Sequence, residues 1–304
     1  MNLSKLKERF QDVFGNGEEP EVYSAPGRVN LIGEHTDYND GLVLPIAINL
    51  STFGLFRAVS ENKVKVYSEN LDSLAEKEIE DVARKRGDWT DYVFGVLTGL
   101  EVRERDISGL EIYLSSEIPV GSGLSSSAAL EVVASMGAIG TLGLAGFDDY
   151  DLIRLCQTAE NDFVGANTGI MDPYASYLGG EGSALFIDTA GPSHRNVNLE
   201  LDGYGIVVID TTVSHTHGDN EYNRRREECE TALVEINKMN KAKEFESLSH
   251  ISPDQLEEIL PSLDEVLANR VKHVVLENER VKKAADLFER GEIDQVGNLF
   301  FASH

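Results

Sequence analysis

The sequence predicts an α+β fold, and two observations support this prediction. Short strand-like runs dominate the first part of the chain, whereas longer segments with apolar residues at helical spacing dominate the later part. The predicted strands are residues 41–48, 52–59, 63–67, 110–115, 183–187 and 205–210, and the predicted helices are residues 91–104, 125–144, 151–164, 221–239 and 263–289.

An amphipathic helix is predicted at the N-terminus. Leu3, Leu6, Phe10 and Val13 recur at roughly helical spacing, and charged residues lie between them. This pattern is not that of a signal peptide, so we expect the segment to be part of the folded protein.

The sequence indicates a soluble, cytoplasmic protein. No stretch approaches the ~18 uninterrupted apolar residues that a membrane span requires. Only two cysteines, Cys156 and Cys229, are present, which is too few for a disulfide framework or a zinc site. A reducing compartment is therefore expected.

Two domains are predicted. A chain of 304 residues with 41% hydrophobic content is long enough and apolar enough for two cores. There is no internal repeat or low-complexity linker, so the polar stretch of residues 192–202 is the best boundary. The predicted domains are residues 1–200 and 201–304.

The chain is strongly acidic, which excludes some classes of partner. Its 27 Lys and Arg residues against 53 Asp and Glu residues give a formal net charge of −26. Nucleic acids and anionic membranes would repel such a surface, so neither is an expected partner. Because the acidic residues are spread along the chain, we hypothesise a protein that works in very high salt, where repulsion is screened.

The most informative segment is residues 25–41 (APGRVNLIGEHTDYNDG), which we call the acidic motif. It holds Arg28, Glu34, His35 and Asp37 without a periodic apolar face, so it is predicted to be a binding loop. Closely spaced acceptors and a switchable donor suit a buried ligand rich in hydroxyl groups, such as a sugar. The alternative is a turn surrounded by solvated charges.

A second segment, residues 119–130 (PVGSGLSSSAAL), is called the serine motif and lies between a predicted strand and a predicted helix. Gly121 and Gly123 let the backbone approach a ligand, and a helix N-terminus attracts anions, so the motif is predicted to bind phosphate. It is not a Walker A motif, because no lysine stands in the required frame. The alternative is that serines 125–127 only cap the helix.

A third segment, residues 169–176 (GIMDPYAS), is called the aspartate motif. Asp172 followed by Pro173 is typical of a helix start, so the aspartate has a purely structural alternative as an N-cap.

Together the three motifs resemble those of the galactokinases, in the GHMP family of small-molecule kinases. The acidic motif resembles the galactokinase signature over residues 27–38, the serine motif is similar to the loop that wraps the ATP phosphates, and the aspartate motif is similar to the segment of the catalytic base. Pro173 and Tyr174 depart from the family, which usually has Gln and Phe there. The resemblance implies a two-domain GHMP fold, with a ribosomal protein S5 domain 2-like N-terminal domain and a ferredoxin-like C-terminal domain.

Three smaller matches fall in the order that the family shows. Trp89 resembles a residue near the nucleotide pocket. The alternative is that Trp89 and Tyr92, which share one helical face, are part of a core. Glu160 matches a magnesium-binding glutamate, with an exposed helix charge as the alternative. Tyr222 matches a tyrosine of the sugar site, and the arginines that follow it are explained more simply as partners of glutamates one helical turn away.

The resemblance implies transfer of the γ-phosphoryl group of ATP to the C1 hydroxyl of galactose. Asp172 would be the base, and Arg28 would hold it ionised or stabilise charge on the phosphoryl group. Mg²⁺ held by Ser126 and Glu160 would bridge the phosphates. The residues implied for the sugar are Glu34, His35, Asp37, Gly169 and Tyr222, and those implied for ATP are Gly121, Ser122, Gly123, Leu124, Ser125, Ser126, Ser127 and Trp89.

Two other functions stay open at this point. One is a kinase of a related sugar, such as N-acetylgalactosamine or arabinose, because specificity among similar sugars rests on few contacts. The other is a non-catalytic galactose sensor on the same fold, against which the intact serine motif argues.

The resemblance leaves a gap towards the C-terminus. The family carries a further Gly-rich motif there, and nothing after residue 200 resembles it. Residues 299–304 resemble a family helix that normally continues. We therefore expect a truncated chain with an incomplete second domain, less active and less stable than a chain extended through that motif.

Overall fold

The structure is a computed structural model that describes residues 2–103, 109–191, 193–201, 203–209, 218–239 and 244–304. Its strands are β1 (Glu21–Asn30), β2 (Leu42–Val43), β3 (Pro45–Val59), β4 (Lys63–Ser68), β5 (Ser73–Glu78), β6 (Gly109–Ser116), β7 (Ser183–Asp188) and β8 (Ser193–Asn198). Its helices are α1 (Leu3–Phe14), α2 (Thr90–Arg103), α3 (Ser126–Thr141), α4 (Asp149–Thr158), α5 (Met171–Leu178), α6 (Gly218–Met239), α7 (Leu256–Ile259), α8 (Glu265–Glu289) and α9 (Ile293–Ser303).

The α+β class is confirmed, and each predicted helix is present with ends that differ by a few residues. The helix predicted over residues 151–164 divides into α4 and a π-helical segment, Ala159–Val164. The strands predicted over residues 41–48 and 52–59 are instead the short β2 followed by one continuous strand, β3.

Part of the acidic motif is a strand and not a loop, which corrects the prediction. Residues 25–30 belong to β1, which pairs with β3 at the edge of a sheet. Ala25 and Gly27 are buried on alternate positions of this strand, so the short side chains there fit a packed surface. Arg28 therefore lies on a strand, where its backbone N–H donates to the carbonyl of Leu124 at 3.1 Å, and only the residues after Asn30 form a loop.

The strand predicted over residues 205–210 is wrong for residues 205–209, which carry no regular structure, and Asp210 lies outside the described residues. β-branched residues favour strands, but a strand also needs a neighbour for its backbone hydrogen bonds. Neither described sheet includes this segment. Val207 and Ile209 are 78% and 79% exposed.

The chain divides into two compact units that alternate along the sequence. The first unit comprises Met1–Arg28, Ile48–Thr168 and Asp172–Tyr177, and the second comprises Val29–Ala47, Gly169–Met171 and Leu178–His304. The division into domains 1–200 and 201–304 stays a prediction.

The first unit contains most of a five-stranded sheet in the order β1-β3-β6-β4-β5. Its central strand β6 runs antiparallel to β3 and parallel to β4. Neighbouring residues of β6 face opposite sides, so Ile112 joins the main core while Tyr113 packs with Leu6 and Phe10 of α1. Helices α2, α3 and α4 contribute to the main core, and they thereby fix the start of α3 relative to the sheet.

The second unit contains an antiparallel sheet in the order β2-β7-β8. Ile32 and Leu44 share a core with Val281 and Phe288 of α8 and with Val296 of α9. A separate cluster packs α6 against α8 and includes Tyr38 at its border. The long helix α8 therefore supports the loop that follows β1. Among the described residues, no helix combines the length and apolar content needed to cross a bilayer.

Candidate active site

An arginine and an aspartate join two motifs within the first unit. Arg28 donates from Nε to Oδ1 of Asp172 at 2.7 Å and from Nη2 to Oδ2 at 2.6 Å. Two parallel charge-assisted hydrogen bonds fix both the position and the plane of a carboxylate. The third nitrogen, Nη1, donates to the carbonyl of Gly123 at 2.8 Å. The strand end, the serine motif and Asp172 are thus held by one side chain.

Asp172 is the second residue of α5, and its carboxylate points away from its own helix to Arg28 and Ser125. The N-cap alternative for Asp172 is therefore not what the structure shows. The side chain of Asp172 is 21% exposed. The hydrogen bonds hold the carboxylate in place, and this exposure leaves it accessible to a ligand.

Ser125 contributes the third hydrogen bond to this group. It donates from Oγ to Oδ2 of Asp172 at 2.5 Å. It is the residue before α3, has a left-handed backbone with φ of 56°, and makes no side-chain cap to that helix. The capping alternative is wrong for Ser125, because its hydroxyl donates to Asp172 and does not cap α3. The first N–H groups of a helix have no partners within it, so the start of α3 offers donors to an anion.

The two glycines of the serine motif shape an open loop. Gly121 and Gly123 have φ of 73° and 74°, a region that glycine adopts without strain. A Cβ at either position would meet no atom within 4 Å. Glycine is therefore required by the backbone conformation, and the space beside it is open to a ligand.

Glu160 is buried, so the alternative of an exposed helix charge is wrong. It lies in the π-helical segment and is 4% exposed. Its Oε2 accepts a hydrogen bond from Oγ1 of Thr168 at 2.7 Å, and Ser127 also hydrogen bonds to it. Burial raises the pKa of this carboxyl, and the hydrogen bonds from Thr168 and Ser127 oppose that rise.

The oxygen atoms around Glu160 fit a hard divalent cation. A carboxylate beside the hydroxyl-rich start of α3 offers the oxygen ligands that Mg²⁺ prefers. Among the described residues, no group of three or more His, Cys, Asp or Glu side chains could hold a metal ion. Mg²⁺ usually takes one or two protein carboxylates together with phosphate oxygens and water, so this sparse set fits it.

Trp89 lies directly before α2 and is partly buried against the main core of the first unit. The packing agrees with the core interpretation of this residue. A contact with nucleotide stays a prediction.

In the second unit, the loop after β1 is held by its own polar groups. Thr36 is fully buried and donates from Oγ1 to the carbonyls of Gly33 at 2.8 Å and Leu42 at 2.7 Å. Its own carbonyl accepts from the backbone N–H groups of Asn39 and Gly41. These bonds close the loop at both ends, so Glu34, His35 and Asp37 are presented from a fixed backbone.

Two residues of α8 that the sequence analysis missed anchor this loop. Glu277 is 0% exposed and accepts the backbone N–H of Gly33 at 2.8 Å, while Asn278 accepts that of Leu42 at 2.8 Å. A Cβ on Gly33 would lie 2.5 Å from the carbonyl oxygen of Leu42, so only glycine fits there. The sequence does contain a sign of this role, because Glu277 is an acidic residue at a position of α8 where the helical pattern has apolar residues.

His35, at the centre of the loop, has a strongly perturbed ionisation. Burial lowers the pKa of His35 to about 4, and the positive charges of Arg225, His273 and Arg270 act in the same direction, whereas Glu277 opposes them. The imidazole is therefore neutral at neutral pH.

Aromatic rings surround this imidazole. The hydroxyl of Tyr38 hydrogen bonds to Nδ1 of His35 at 2.9 Å. The ring of Tyr222 lies 6.0 Å from that of His35 and 5.4 Å from that of Tyr38, between ring centroids. The structure thus brings Tyr222 to the acidic motif. The arginines after Tyr222 pair as the simple interpretation predicted, with Arg224 and Arg226 each bonded to a glutamate one turn on.

A cavity of about 570 Å³ opens beside the loop in the second unit. Its lining mixes one carboxylate and several cationic side chains with apolar groups, so it offers both hydrogen-bond donors and acceptors to a ligand. The polar and aromatic lining includes Glu34, His35, Tyr38, Arg225, Arg270 and His273.

Asp37 does not line this cavity but lies against Gly169. A Cβ on Gly169 would be 1.7 Å from Oδ2 and 2.3 Å from Cγ of Asp37. Since φ of Gly169 is not in the left-handed region, close approach and not backbone strain is what requires glycine here. All five residues implied for the sugar, Glu34, His35, Asp37, Gly169 and Tyr222, therefore lie in or against one loop of the second unit.

Comparison with known families finds two matches. Residues 8–58 match the galactokinase galactose-binding signature, and residues 91–180 match the N-terminal domain of GHMP kinases. The first match contains the acidic motif, and the second contains the serine and aspartate motifs.

Comparison with individual proteins gives the same families. The galactokinase of Clostridium tetani is 38% identical over 100% of this chain and 77% of its own length, and that of Streptococcus thermophilus is 37% identical over 100% and 78%. The structure of Lactococcus lactis galactokinase complexed with galactose superposes with a TM-score of 0.93 at 37% identity, covering 99% of this chain and 78% of that one. Methanococcus jannaschii mevalonate kinase, at 16% identity and a TM-score of 0.53 over 90% of this chain and 81% of its own, shares the fold.

The depressed pKa of His35 predicts how stability depends on pH. The folded value of about 4 lies below the ordinary value of 6.5, so the unfolded chain binds the proton more tightly. The free energy of unfolding should therefore fall by about 3 kcal/mol as pH drops from 6.5 to 4, from this residue alone. Denaturant unfolding at a series of pH values measures this slope.

His35→Asn is the matched control, because asparagine accepts the left-handed φ of 63° at this position and does not titrate. Its unfolding free energy should change less with pH over the same window. Equal slopes for the two proteins would show that His35 is not the titrating group.

Proposed function

Because this chain belongs to the galactokinase family of the GHMP kinases, we propose that it phosphorylates galactose at the C1 hydroxyl with ATP, and that Asp172, held by Arg28, is the base. The observation that carries the proposal is the hydrogen-bonded group of Arg28, Asp172 and Ser125, tied to the serine motif through Gly123. A carboxylate, a cation and a phosphate loop in one rigid group are what phosphoryl transfer to an alcohol needs.

The proton of the attacking hydroxyl is proposed to go to Oδ1 of Asp172. Oδ2 already accepts hydrogen bonds from Arg28 and Ser125, whereas Oδ1 accepts one bond, from Nε of Arg28. A carboxylate oxygen has two lone-pair sites, so Oδ1 retains a site for the substrate. Ser125 and Arg28 then fix which oxygen is presented.

Binding of ATP is assigned to the serine motif. The backbone N–H groups at the start of α3 and the open glycine loop offer donors to phosphate oxygens without any lysine. Arg28 adds positive charge beside that loop and can stabilise the charge that develops on the transferring group.

Mg²⁺ is assigned to Glu160 with the hydroxyl groups of the serine motif. Ser126 was implied by resemblance, and Ser127 is the residue whose hydroxyl bonds to Glu160. Bound there, the cation would neutralise charge on the phosphates during transfer. Thr168 orients the carboxylate through its bond to Oε2.

The sugar is assigned to the loop of the second unit. Asp37, Glu34 and the neutral His35 offer acceptors and one donor to the hydroxyl groups of galactose. Gly169, which leaves room for Asp37, stands three residues before Asp172, so the chain itself connects the proposed sugar site to the proposed base.

The role of Asp172 is tested by Asp172→Asn. Asparagine cannot accept the proton, so turnover should fall by at least ~10²-fold, the scale of a lost general base. Steady-state ATP turnover with galactose measures the loss, and calorimetry checks that galactose still binds. Asp254→Asn, an exposed change elsewhere, should leave turnover unaltered. Near wild-type turnover by folded Asp172→Asn would refute the assignment of the base.

The role of Asp37 is tested by Gly169→Ala. The new methyl group would overlap Oδ2 of Asp37 and displace the carboxylate, so galactose affinity should fall about tenfold or more, with ATP-analogue affinity unchanged. Gly191→Ala is the control, because a Cβ there meets nothing within 4 Å.

Adding Gly169→Ala to Asp37→Ala separates a sugar contact from a general disturbance. If Gly169 matters only through Asp37, the double variant should bind galactose no worse than Asp37→Ala. Wild-type affinity for galactose in Gly169→Ala would mean that Asp37 does not contact the sugar.

A further inference from the structure

Tyr38 makes a hydrogen bond in the loop after β1 that the proposed mechanism does not use. Its hydroxyl lies 2.9 Å from Nδ1 of His35. The tyrosine ring borders the cluster that packs α6 against α8, and its centroid lies 5.4 Å from that of Tyr222. Packing therefore holds the ring of Tyr38, and its hydroxyl is directed at one particular nitrogen of the imidazole.

His35 has an unusual backbone conformation. Its φ of 63° lies in the left-handed region, which costs free energy for a residue with a Cβ. The buried side chain of Asn39 donates from Nδ2 to the carbonyl of His35 at 2.9 Å and stabilises this conformation. Because strained residues of this kind cluster at functional sites, the direction of the imidazole is expected to matter for function.

The imidazole of His35 has two possible proton positions. With its pKa lowered to about 4, the ring carries a single N–H at neutral pH, on either Nδ1 or Nε2. The nitrogen without the proton is an acceptor. The choice of tautomer therefore decides whether Nε2, the nitrogen that does not face Tyr38, donates or accepts.

The hydrogen-bonding capacity of Tyr38 decides between the two tautomers. A phenol has one O–H to donate, and burial raises the pKa of Tyr38, so the proton stays on its oxygen. Among the described residues, Nδ1 of His35 is the only hydrogen-bond partner of this hydroxyl. If Nδ1 carried the imidazole proton, the O–H of Tyr38 would lack an acceptor. The O–H therefore donates to Nδ1, which leaves the imidazole proton on Nε2.

We propose that Tyr38 is a positioning residue for His35: its hydroxyl donates to Nδ1 and keeps the imidazole N–H on Nε2, which donates to a hydroxyl oxygen of the sugar. The inference rests on the proposed function, in which His35 contacts galactose. Nε2 has no hydrogen-bond partner among the described residues, and His35 lines the cavity beside the loop, so this N–H is available to a ligand.

A donor at this position complements the carboxylates of the acidic motif. Carboxylates such as those of Glu34 and Asp37 accept hydrogen bonds from sugar hydroxyls but do not donate. A sugar hydroxyl that is bound through its oxygen needs a donor, and the Nε2–H tautomer of His35 supplies one. With the proton on Nδ1, the imidazole would only add a further acceptor.

The test compares four variants. Tyr38→Phe removes the hydroxyl and keeps the packed ring. Tyr67→Phe is the matched control, because it removes a tyrosine hydroxyl that bonds to Asp72 in the first unit. His35→Asn removes the imidazole and tolerates the left-handed backbone, and the fourth variant combines it with Tyr38→Phe. Calorimetry measures the affinities for galactose and for a non-hydrolysable ATP analogue, and steady-state assays give KM and kcat.

Tyr38→Phe should bind galactose about 10-fold more weakly, the scale of one hydrogen bond, with ATP-analogue affinity and kcat within about 2-fold of wild type. Tyr67→Phe should match wild type in every measurement. The double variant should bind galactose no more weakly than His35→Asn, because Tyr38 acts only through the imidazole. Wild-type galactose affinity in Tyr38→Phe, or losses that multiply in the double variant, would overturn the proposal.

Nitrogen-15 NMR of histidine-labelled protein measures the tautomer itself, with His35→Asn used to assign the signals of His35. Wild-type protein should carry the proton on Nε2, and galactose should shift that N–H signal. Tyr38→Phe should populate both tautomers, because the acceptor role of Nδ1 is no longer fixed. A wild-type proton on Nδ1, or an Nε2 signal that galactose does not shift, would overturn the proposal even if Tyr38→Phe does not fold.

His35→Asn and the wild-type protein distinguish this inference from the proposed function on which it rests. If wild-type protein does not bind galactose, the proposed function is wrong and the inference falls with it. If His35→Asn keeps wild-type galactose affinity, the contact between His35 and the sugar is wrong, and so is the role of Tyr38. If His35→Asn loses affinity and Tyr38→Phe does not, only the role of Tyr38 is refuted.

Discussion

The paired hydrogen bonds from Arg28 to Asp172 are the interaction on which the first unit's site depends. They bridge 144 residues of sequence and join the end of β1 to the start of α5. The bond from Arg28 to Gly123 and the bond from Ser125 to Asp172 add the serine motif to the same group. The proposed base, the positive charge and the proposed phosphate loop are therefore fixed relative to one another before any ligand binds, which is the form of positioning that phosphoryl transfer requires.

The second unit fixes its loop by a different means. Glu277 and Asn278, adjacent on α8, accept the N–H groups of Gly33 and Leu42, one near each end of the loop. Buried side chains that satisfy backbone donors hold a loop more rigidly than solvent contacts do. Glu34, His35 and Asp37 are therefore presented from a stable backbone, with His35 neutral at neutral pH because its pKa is lowered to about 4.

Much of this was predictable from sequence, and the rest has identifiable physical reasons. Helices were predicted well because their apolar period is local, and the motifs identified Arg28 and Asp172. The burial of Glu160 depends on packing between distant segments, which a local pattern does not contain, whereas the position of Glu277 on the apolar face of α8 is visible in the sequence. Residues 205–209 have strand propensity without a described partner strand, and residues 25–30 form a strand because β3 lies beside them.

A double-mutant cycle between Arg28 and Asp172 tests the central claim most directly. Lysine at position 28 keeps a positive charge but cannot form the paired bonds, so Arg28→Lys should lower turnover of galactose and ATP at saturating ligands. If the pair acts as one unit, adding Arg28→Lys to Asp172→Asn should cause little further loss of turnover, because the base is already absent. Losses that multiply in the double variant would contradict the account and show that the two residues act independently.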